Sequence, residues 1–153
     1  LLIANDAIEM FLLIQDNSAE DSLRLALQAY ATADLKLYQN KKEEALQLFL
    51  AILQKHKGES IEEGTLFKVG KIYEEKGDFN KALTYYQNIL DNHKDGIYKD
   101  EALYFSAEIY RKHLLDNEKA KALYEKVVLE HPDSLYYTES RKQYRTLRGD
   151  STI

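Results

Sequence analysis

The sequence has no cysteine and no tryptophan, and its 153 residues include only one proline, one methionine and six glycines. The lack of cysteine excludes a disulfide scaffold, a thiolate metal site and a cysteine nucleophile. No apolar stretch approaches the roughly 18 residues of a membrane-spanning helix, so we predict no insertion into a membrane. Hydrophobic residues make up 44 % of the chain, which excludes the collagen-like and disordered classes. The net charge of −5 argues against a nucleic-acid partner.

What the sequence does contain is an internal repeat. An alanine followed by an aromatic residue four positions later occurs four times, and a spacing of four holds one face of a helix. These alanines are Ala7, Ala45, Ala82 and Ala120. Two further positions recur at intervals of 37 residues, and they hold Ala33, Gly70 and Ala107 at the first and Tyr30, Phe67 and Tyr104 at the second. The pattern predicts an all-α chain of helix hairpins.

Turn signals divide the repeats into helices. Gly77 can adopt the left-handed conformation that ends a helix, and Asp78 can cap the next one. Capping boxes are predicted at Ser18-x-x-Asp21 and Ser60-x-x-Glu63. The predicted helices cover residues 2–16, 20–39, 42–56, 60–76, 79–93, 98–114, 116–131 and 134–148.

Together these features resemble the tetratricopeptide repeat, in which a small residue and a tyrosine mark the first helix and an alanine and an aromatic residue mark the second. The matching residues are Gly70, Tyr73, Ala82 and Tyr86 in one repeat, and Ala107, Tyr110, Ala120, Tyr124 and Pro132 in the next, which has one extra residue in its turn. An earlier, degenerate copy has Lys36 at the tyrosine position and Asn40 at the turn glycine. The resemblance implies a right-handed superhelical solenoid of antiparallel hairpins, about eight helices in all.

We expect a single domain over residues 1–153. Its predicted parts are an orphan second helix (1–17), three repeats (20–58, 60–96 and 98–132) and a C-terminal capping helix (134–148) on which Tyr137, Tyr144 and Leu147 are expected to pack. The chain starts at Leu1 without a methionine, and we interpret it as the C-terminal part of a longer protein. Its lengthened repeats resemble those of bacterial envelope proteins, such as the repeat lipoprotein of the outer-membrane barrel-assembly machinery, which implies the periplasm or cell envelope rather than the cytoplasm.

Candidate catalytic chemistry is sparse. His56, His93 and His131 are 37 and 38 residues apart, so they occupy equivalent helix ends, too far apart to share one metal ion. We predict no catalytic residue, no cofactor and no metal, and therefore no enzyme. His131-Pro132-Asp133 also resembles the loop with which J-domain co-chaperones stimulate an ATPase. An enzyme or co-chaperone acting through His131 and Asp133 is therefore one alternative.

The resemblance implies a non-catalytic protein–protein interaction module of a larger scaffold or adaptor, which binds a protein or peptide segment in its concave groove. The expected groove residues are Tyr30, Asp34, Leu37, Tyr38, Phe67, Lys71, Glu74, Glu75, Tyr104, Glu108, Arg111 and Lys112. The three aromatic residues at the repeated position are either anchors for the partner or core between repeats. A further alternative is a spacer that forms a homodimer through the exposed first helix, which carries Ala7 and Phe11.

Overall fold

The computed structural model describes residues 21–150 together with Ile8, which is helical and 46 % exposed. These residues form seven α-helices, one π-helical segment and no strand, which confirms the predicted all-α fold. The helices are α1 (Asp21–Tyr38), α2 (Lys42–Lys55), α3 (Glu62–Glu75), α4 (Phe79–Asn92), α5 (Lys99–Ile109), α6 (Asn117–Glu130) and α7 (Tyr137–Arg148), and the π segment (Tyr110–Leu114) follows α5. The predicted helix over residues 2–16 and the capping box at Ser18 lie outside the described residues.

The chain divides into two compact units, Leu1–Lys76 and Gly77–Ile153. In the described part of the first unit, α1 packs against α2 and α2 packs against α3. Its buried apolar residues are Ala26, Leu27, Tyr30, Ala33, Ala45, Leu46, Phe49, Ile52, Ile61, Leu66, Val69 and Ile72. They follow the helical spacing seen in the sequence, so each helix buries one stripe.

One predicted cap in the first unit is wrong. The N-cap of α3 is Ile61 rather than Ser60, and no side chain caps it. Ile61 is 2 % exposed, so its burial in the core sets where the helix begins. Glu62 instead accepts a hydrogen bond from the backbone N–H of Gly58 at 2.9 Å, in the turn that leads into the helix.

In the second unit, α5 packs against both α4 and α6, and α6 packs against α7. Ala107, Ala120 and Tyr124 form the centre of a buried cluster. Tyr144 and Leu147, two of the three residues predicted to pack from the last helix, contact this cluster. Gly149, with φ 95°, ends that helix in the left-handed conformation.

The turns within the hairpins share a left-handed residue. Asn40, Gly77 and Leu115 have φ values of 61°, 81° and 55°. Asn and Gly adopt this conformation readily, whereas it is costly for Leu. The extra residue of the last repeat is accommodated by the π segment immediately before Leu115, because a π turn contains one residue more than an α turn.

The predicted cap at the start of α4 and the predicted histidines at the ends of α2, α4 and α6 are confirmed. Asp78 caps α4 by accepting a hydrogen bond from the Lys81 N–H at 3.4 Å. His56, His93 and His131 are the C-cap residues of α2, α4 and α6, and each donates its backbone N–H to the residue four positions earlier. No helix between residues 21 and 150 is both long enough and apolar enough to cross a membrane.

Candidate functional site

Two of the predicted groove residues lie inside the first unit. Tyr30 is 6 % exposed and packs edge-to-face on Phe49, with ring centroids 5.4 Å apart. Asp34 is 1 % exposed, and its Oδ1 lies 3.1 Å from the Lys68 Nζ. Both side chains present almost no surface to a partner here. For Tyr30, the geometry favours the core interpretation over the anchor interpretation.

The other candidates of the first unit are more accessible. Leu37 and Phe67 are half-buried, whereas Tyr38 is 56 % exposed. Two ion pairs hold the charged candidates of α3: Lys71 Nζ to Glu74 Oε1 at 3.7 Å, and Lys42 Nζ to Glu75 Oε2 at 3.1 Å. The second pair connects the start of α2 to the end of α3. The first unit therefore keeps Leu37, Tyr38 and Phe67 at least partly accessible, whereas Asp34 is buried beside Lys68.

In the second unit, a polar network is centred on the buried carboxylate of Glu108. The Tyr124 hydroxyl donates to Glu108 Oε2, and Arg111 Nη2 donates to the same oxygen at 3.0 Å. Arg111 Nε also donates to the Tyr124 hydroxyl at 3.0 Å. Lys112 Nζ lies 2.9 Å from Glu108 Oε1. The structure thus brings three predicted groove residues together, with their guanidinium and ammonium groups held by one carboxylate.

Burial and charge shift the titration of this network. Burial by itself would raise the pKa of Glu108, but hydrogen bonds from Lys112, Tyr124 and Arg111 hold it below its usual value. Burial, with a hydrogen bond to Glu108, raises the pKa of Tyr124. Burial and the neighbouring charge of Glu108 raise the pKa of Tyr104 to about 12. At neutral pH the network is therefore a carboxylate surrounded by protonated donors, an arrangement suited to holding side chains in place rather than to proton transfer.

Tyr104 lies within an aromatic cluster beside this network. Its ring stacks on Tyr136 with centroids 4.4 Å apart and an interplanar angle of 17°. Phe105 contacts both rings edge-on at 5.4 Å. Tyr124 packs against Tyr104 at 6.2 Å. Sequence reasoning did not identify Tyr136, although its position five residues after His131 matches that of Tyr98 after His93.

Among the described residues, no group of three histidine and carboxylate side chains is arranged to hold a metal ion. Residues 65–96 and 101–134 match the family model of the tetratricopeptide repeat. These two segments cover α3 with α4 and α5 with α6, so this part of the chain is similar to tetratricopeptide repeats in both sequence and helix order. Comparison with curated proteins gives no significant match. Tetratricopeptide repeats generally mediate protein–protein interactions and are typically non-catalytic.

Proposed function

We propose that this chain is a non-catalytic interaction module of a larger scaffold or adaptor protein, which docks a partner segment on the first helices of its repeats. The observation that carries the proposal is the surface formed by Tyr104, Glu108, Arg111, Lys112 and Tyr136, here called the Tyr104 face. On it, a stacked tyrosine pair lies beside a charged network whose Lys112 side chain is 51 % exposed.

Several physical features suit the Tyr104 face to binding. A tyrosine ring supplies a large contact area with few rotatable bonds, so little conformational entropy is lost when a partner docks. The network holds Arg111 in place before any partner arrives, which lowers the cost of ordering it. Arg111 and Lys112 carry two positive charges, whereas Glu139 lies near Tyr104 and Asp100 and Glu101 lie near Tyr136. The face therefore presents charges of both signs and suits a partner segment that carries complementary charges of both signs.

In the first unit, we propose that the accessible candidates contact a partner while the buried ones support them. The proposed contact residues are Leu37, Tyr38, Phe67, Lys71, Glu74 and Glu75. Tyr30 and Asp34 are assigned a supporting role because both are buried. The proposed setting is the bacterial cell envelope, which rests on the resemblance of the lengthened repeats to those of envelope proteins.

Site-specific photo-crosslinking tests the Tyr104 face directly. A benzophenone amino acid replaces Lys112 in one variant and the exposed Lys94, in the loop between α4 and α5, in a matched control. In an extract of the source cells, we expect a discrete cross-linked protein from position 112 that position 94 does not capture. Binding of that protein's segment is then measured by calorimetry for the parent, Tyr104→Ala, Lys112→Glu and the charge-matched Lys94→Glu.

We expect Tyr104→Ala and Lys112→Glu to weaken binding by about tenfold or more, as the loss of an interface anchor implies. Lys94→Glu should leave the affinity unchanged. Circular dichroism confirms that each variant is folded. Equal affinities for all four proteins, or capture of the same protein from both positions, would exclude the Tyr104 face as the binding site.

Self-association is a second candidate function. The alanine–aromatic spacing that begins at Ala7 matches the second helix of a repeat, and the neighbouring Ile8 is helical and 46 % exposed. Ala7 and Phe11 themselves lie outside the described residues. We expect the sedimentation-equilibrium mass to rise with protein concentration in the parent and to stay monomeric in Phe11→Glu. A constant monomeric mass for the parent would eliminate this function.

A further inference from the structure

The second unit contains an open groove of about 520 Å³ that lies apart from the Tyr104 face. One wall is the outward surface of α4, which contributes Thr84, Gln87, Asn88, Asp91 and Asn92. The rest of the lining comes from Leu83 of α4, from Ser106 and Tyr110 in α5 and the π segment, and from Leu123 of α6. The groove therefore combines an amide-rich wall with apolar side chains.

The repeat pattern does not account for these amides. It explains Ala82, Tyr86 and Ile89, which are fully buried in the core of the unit. At the positions equivalent to Asn88 and Asn92, by the spacing of the repeated alanines, other helices have different side chains. These are Ala51 and Lys55 in α2, and Lys126 and Glu130 in α6. The amide wall is thus particular to α4, whereas the packing of the repeat is common to all three helices.

Hydrogen bonds within the wall hold its side chains in place. Gln87 Nε2 donates to Asp91 Oδ1 at 2.9 Å, and Asn92 Nδ2 donates to Asn88 Oδ1 at 2.6 Å. Each bond uses one amide hydrogen of the donor, and every amide has two hydrogens and a carbonyl oxygen. The wall therefore keeps both donors and acceptors for a ligand, and ordering them costs little entropy because they are already held.

We propose that this groove binds an extended, uncharged segment of polypeptide and recognises its backbone. A primary amide has the same donor and acceptor as a peptide group, so Gln87, Asn88 and Asn92 can pair with backbone C=O and N–H groups. Leu83, Tyr110 and Leu123 provide the apolar surface on which small side chains of the segment rest. Asp91 is the one charged residue in the lining, so it disfavours an acidic segment.

The dimensions of the groove match a short extended peptide. From Leu83 to Asn92 the wall spans nine helical steps, or roughly 14 Å at about 1.5 Å per residue. An extended chain covers that length with about four residues. Tyr110, which contributes to the lining, is also the first residue of the π segment. Such segments occur frequently at functional sites, which is consistent with a ligand here.

The proposal is tested by titrating the ¹⁵N-labelled chain with the capped tetrapeptide acetyl-Thr-Ala-Thr-Ala-amide, followed by NMR. We expect saturable shifts of the side-chain amide signals of Gln87, Asn88 and Asn92. The same peptide with N-methylated backbone amides keeps its side chains but loses its N–H donors, so it should bind about tenfold or more weakly.

Two variants separate the groove from other surfaces. Asn88→Leu removes one amide from the wall and should weaken binding by about tenfold. Asn80→Leu makes the same change at an exposed position at the start of α4, outside the groove, and should bind as the parent does. Backbone NMR signals report whether either variant is folded. The proposal is overturned by non-saturable shifts, by equal binding of the N-methylated peptide, or by unchanged affinity in folded Asn88→Leu. Because the groove and the Tyr104 face share no residue, failure at one does not imply failure at the other.

Discussion

Tyr124 of α6 donates its hydroxyl hydrogen bond to the carboxylate of Glu108 on α5, sixteen residues earlier in the chain. The pair connects the core of the second unit to its charged surface, because Tyr124 is fully buried and Glu108 is 9 % exposed. Tyr124 also occupies the aromatic position of the repeat, where packing requires only a ring. The hydroxyl therefore adds a polar role to a residue whose ring fills the core.

Removing this hydroxyl should destabilise the chain. We expect Tyr124→Phe to lower the free energy of unfolding by about 1 to 2 kcal/mol, because the buried Glu108 carboxylate loses one donor while the ring packing is kept. Urea unfolding monitored by circular dichroism measures the change. Tyr38→Phe removes a hydroxyl from a tyrosine that is 56 % exposed and should change stability by less than about 0.5 kcal/mol. Equal stabilities for the two variants would contradict a role for the Tyr124 hydroxyl.

Acid should remove the stabilisation that comes from Glu108. Hydrogen bonds lower the pKa of Glu108 in the folded state below the usual 4.5. The native state therefore favours the ionised carboxylate more than the unfolded chain does. This stabilisation is fully present above the unfolded pKa and is lost as the pH falls through the folded pKa. We expect the stability difference between the parent and Glu108→Gln to shrink on acidification, measured by urea unfolding at a series of pH values. A difference that stays constant down to strongly acidic pH would refute this assignment.

Alkali should ionise Tyr104 late. Its pKa is raised to about 12 by burial and by the charge of Glu108, so the native state favours the protonated hydroxyl. The resulting stabilisation is complete below the ordinary tyrosine value of 10.0 and is lost as the pH rises towards 12. Absorbance titration of phenolate should show one fewer late-ionising tyrosine in Tyr104→Phe than in the parent. If Tyr104→Phe instead lacked a tyrosine that ionises near pH 10, Tyr104 would not have the raised pKa assigned to it.

The left-handed turn at Leu115 should be improved by glycine. Leu115 has φ 55° and is 76 % exposed, so replacing it relieves backbone strain and sacrifices little burial. We expect Leu115→Gly to raise the free energy of unfolding by about 1 kcal/mol. Thermal and urea unfolding measure the gain.

The equivalent position of the preceding turn provides the reciprocal control. Gly77 has φ 81°, and a Cβ placed on it meets no atom within 4 Å. Gly77→Ala should therefore lose about 1 kcal/mol through backbone strain alone. If Leu115→Gly destabilised the chain while Gly77→Ala did so too, contacts of the Leu115 side chain would have to outweigh the strain of its backbone.

The helices and their ends followed from local rules. The spacing of Ala45 and Ala82 from their aromatic partners predicted the buried stripes, and Gly77 with Asp78 predicted a helix end and a cap. The cap at Ser60 failed because burial of Ile61 decides where α3 begins. At such a position the preference of a capping side chain competes with burial of a neighbouring apolar side chain. Burial of Ile61 removes more apolar surface from water than one capping hydrogen bond can offset.

The candidate site was less predictable than the fold. Glu108, Arg111 and Lys112 are neighbours on one helical face, so their proximity could be expected from spacing alone. The stacking of Tyr104 on Tyr136 could not, because it joins residues from separate turns of the chain. The burial of Asp34 was also missed, since a carboxylate at a surface position of the repeat is ordinarily solvated.

The sequence by itself determined the helices and the left-handed turn at Gly77, because each depends on residues within a few positions of one another, and it showed the repeat through a pattern that recurs about every 37 residues. Only the tertiary structure decided which aromatic residues are core, how the Glu108 network closes around Tyr124, and where α4 and α6 leave a groove. These features depend on side chains brought together from distant positions. Their free energies come from burial and directed hydrogen bonds, which spacing along the chain does not encode.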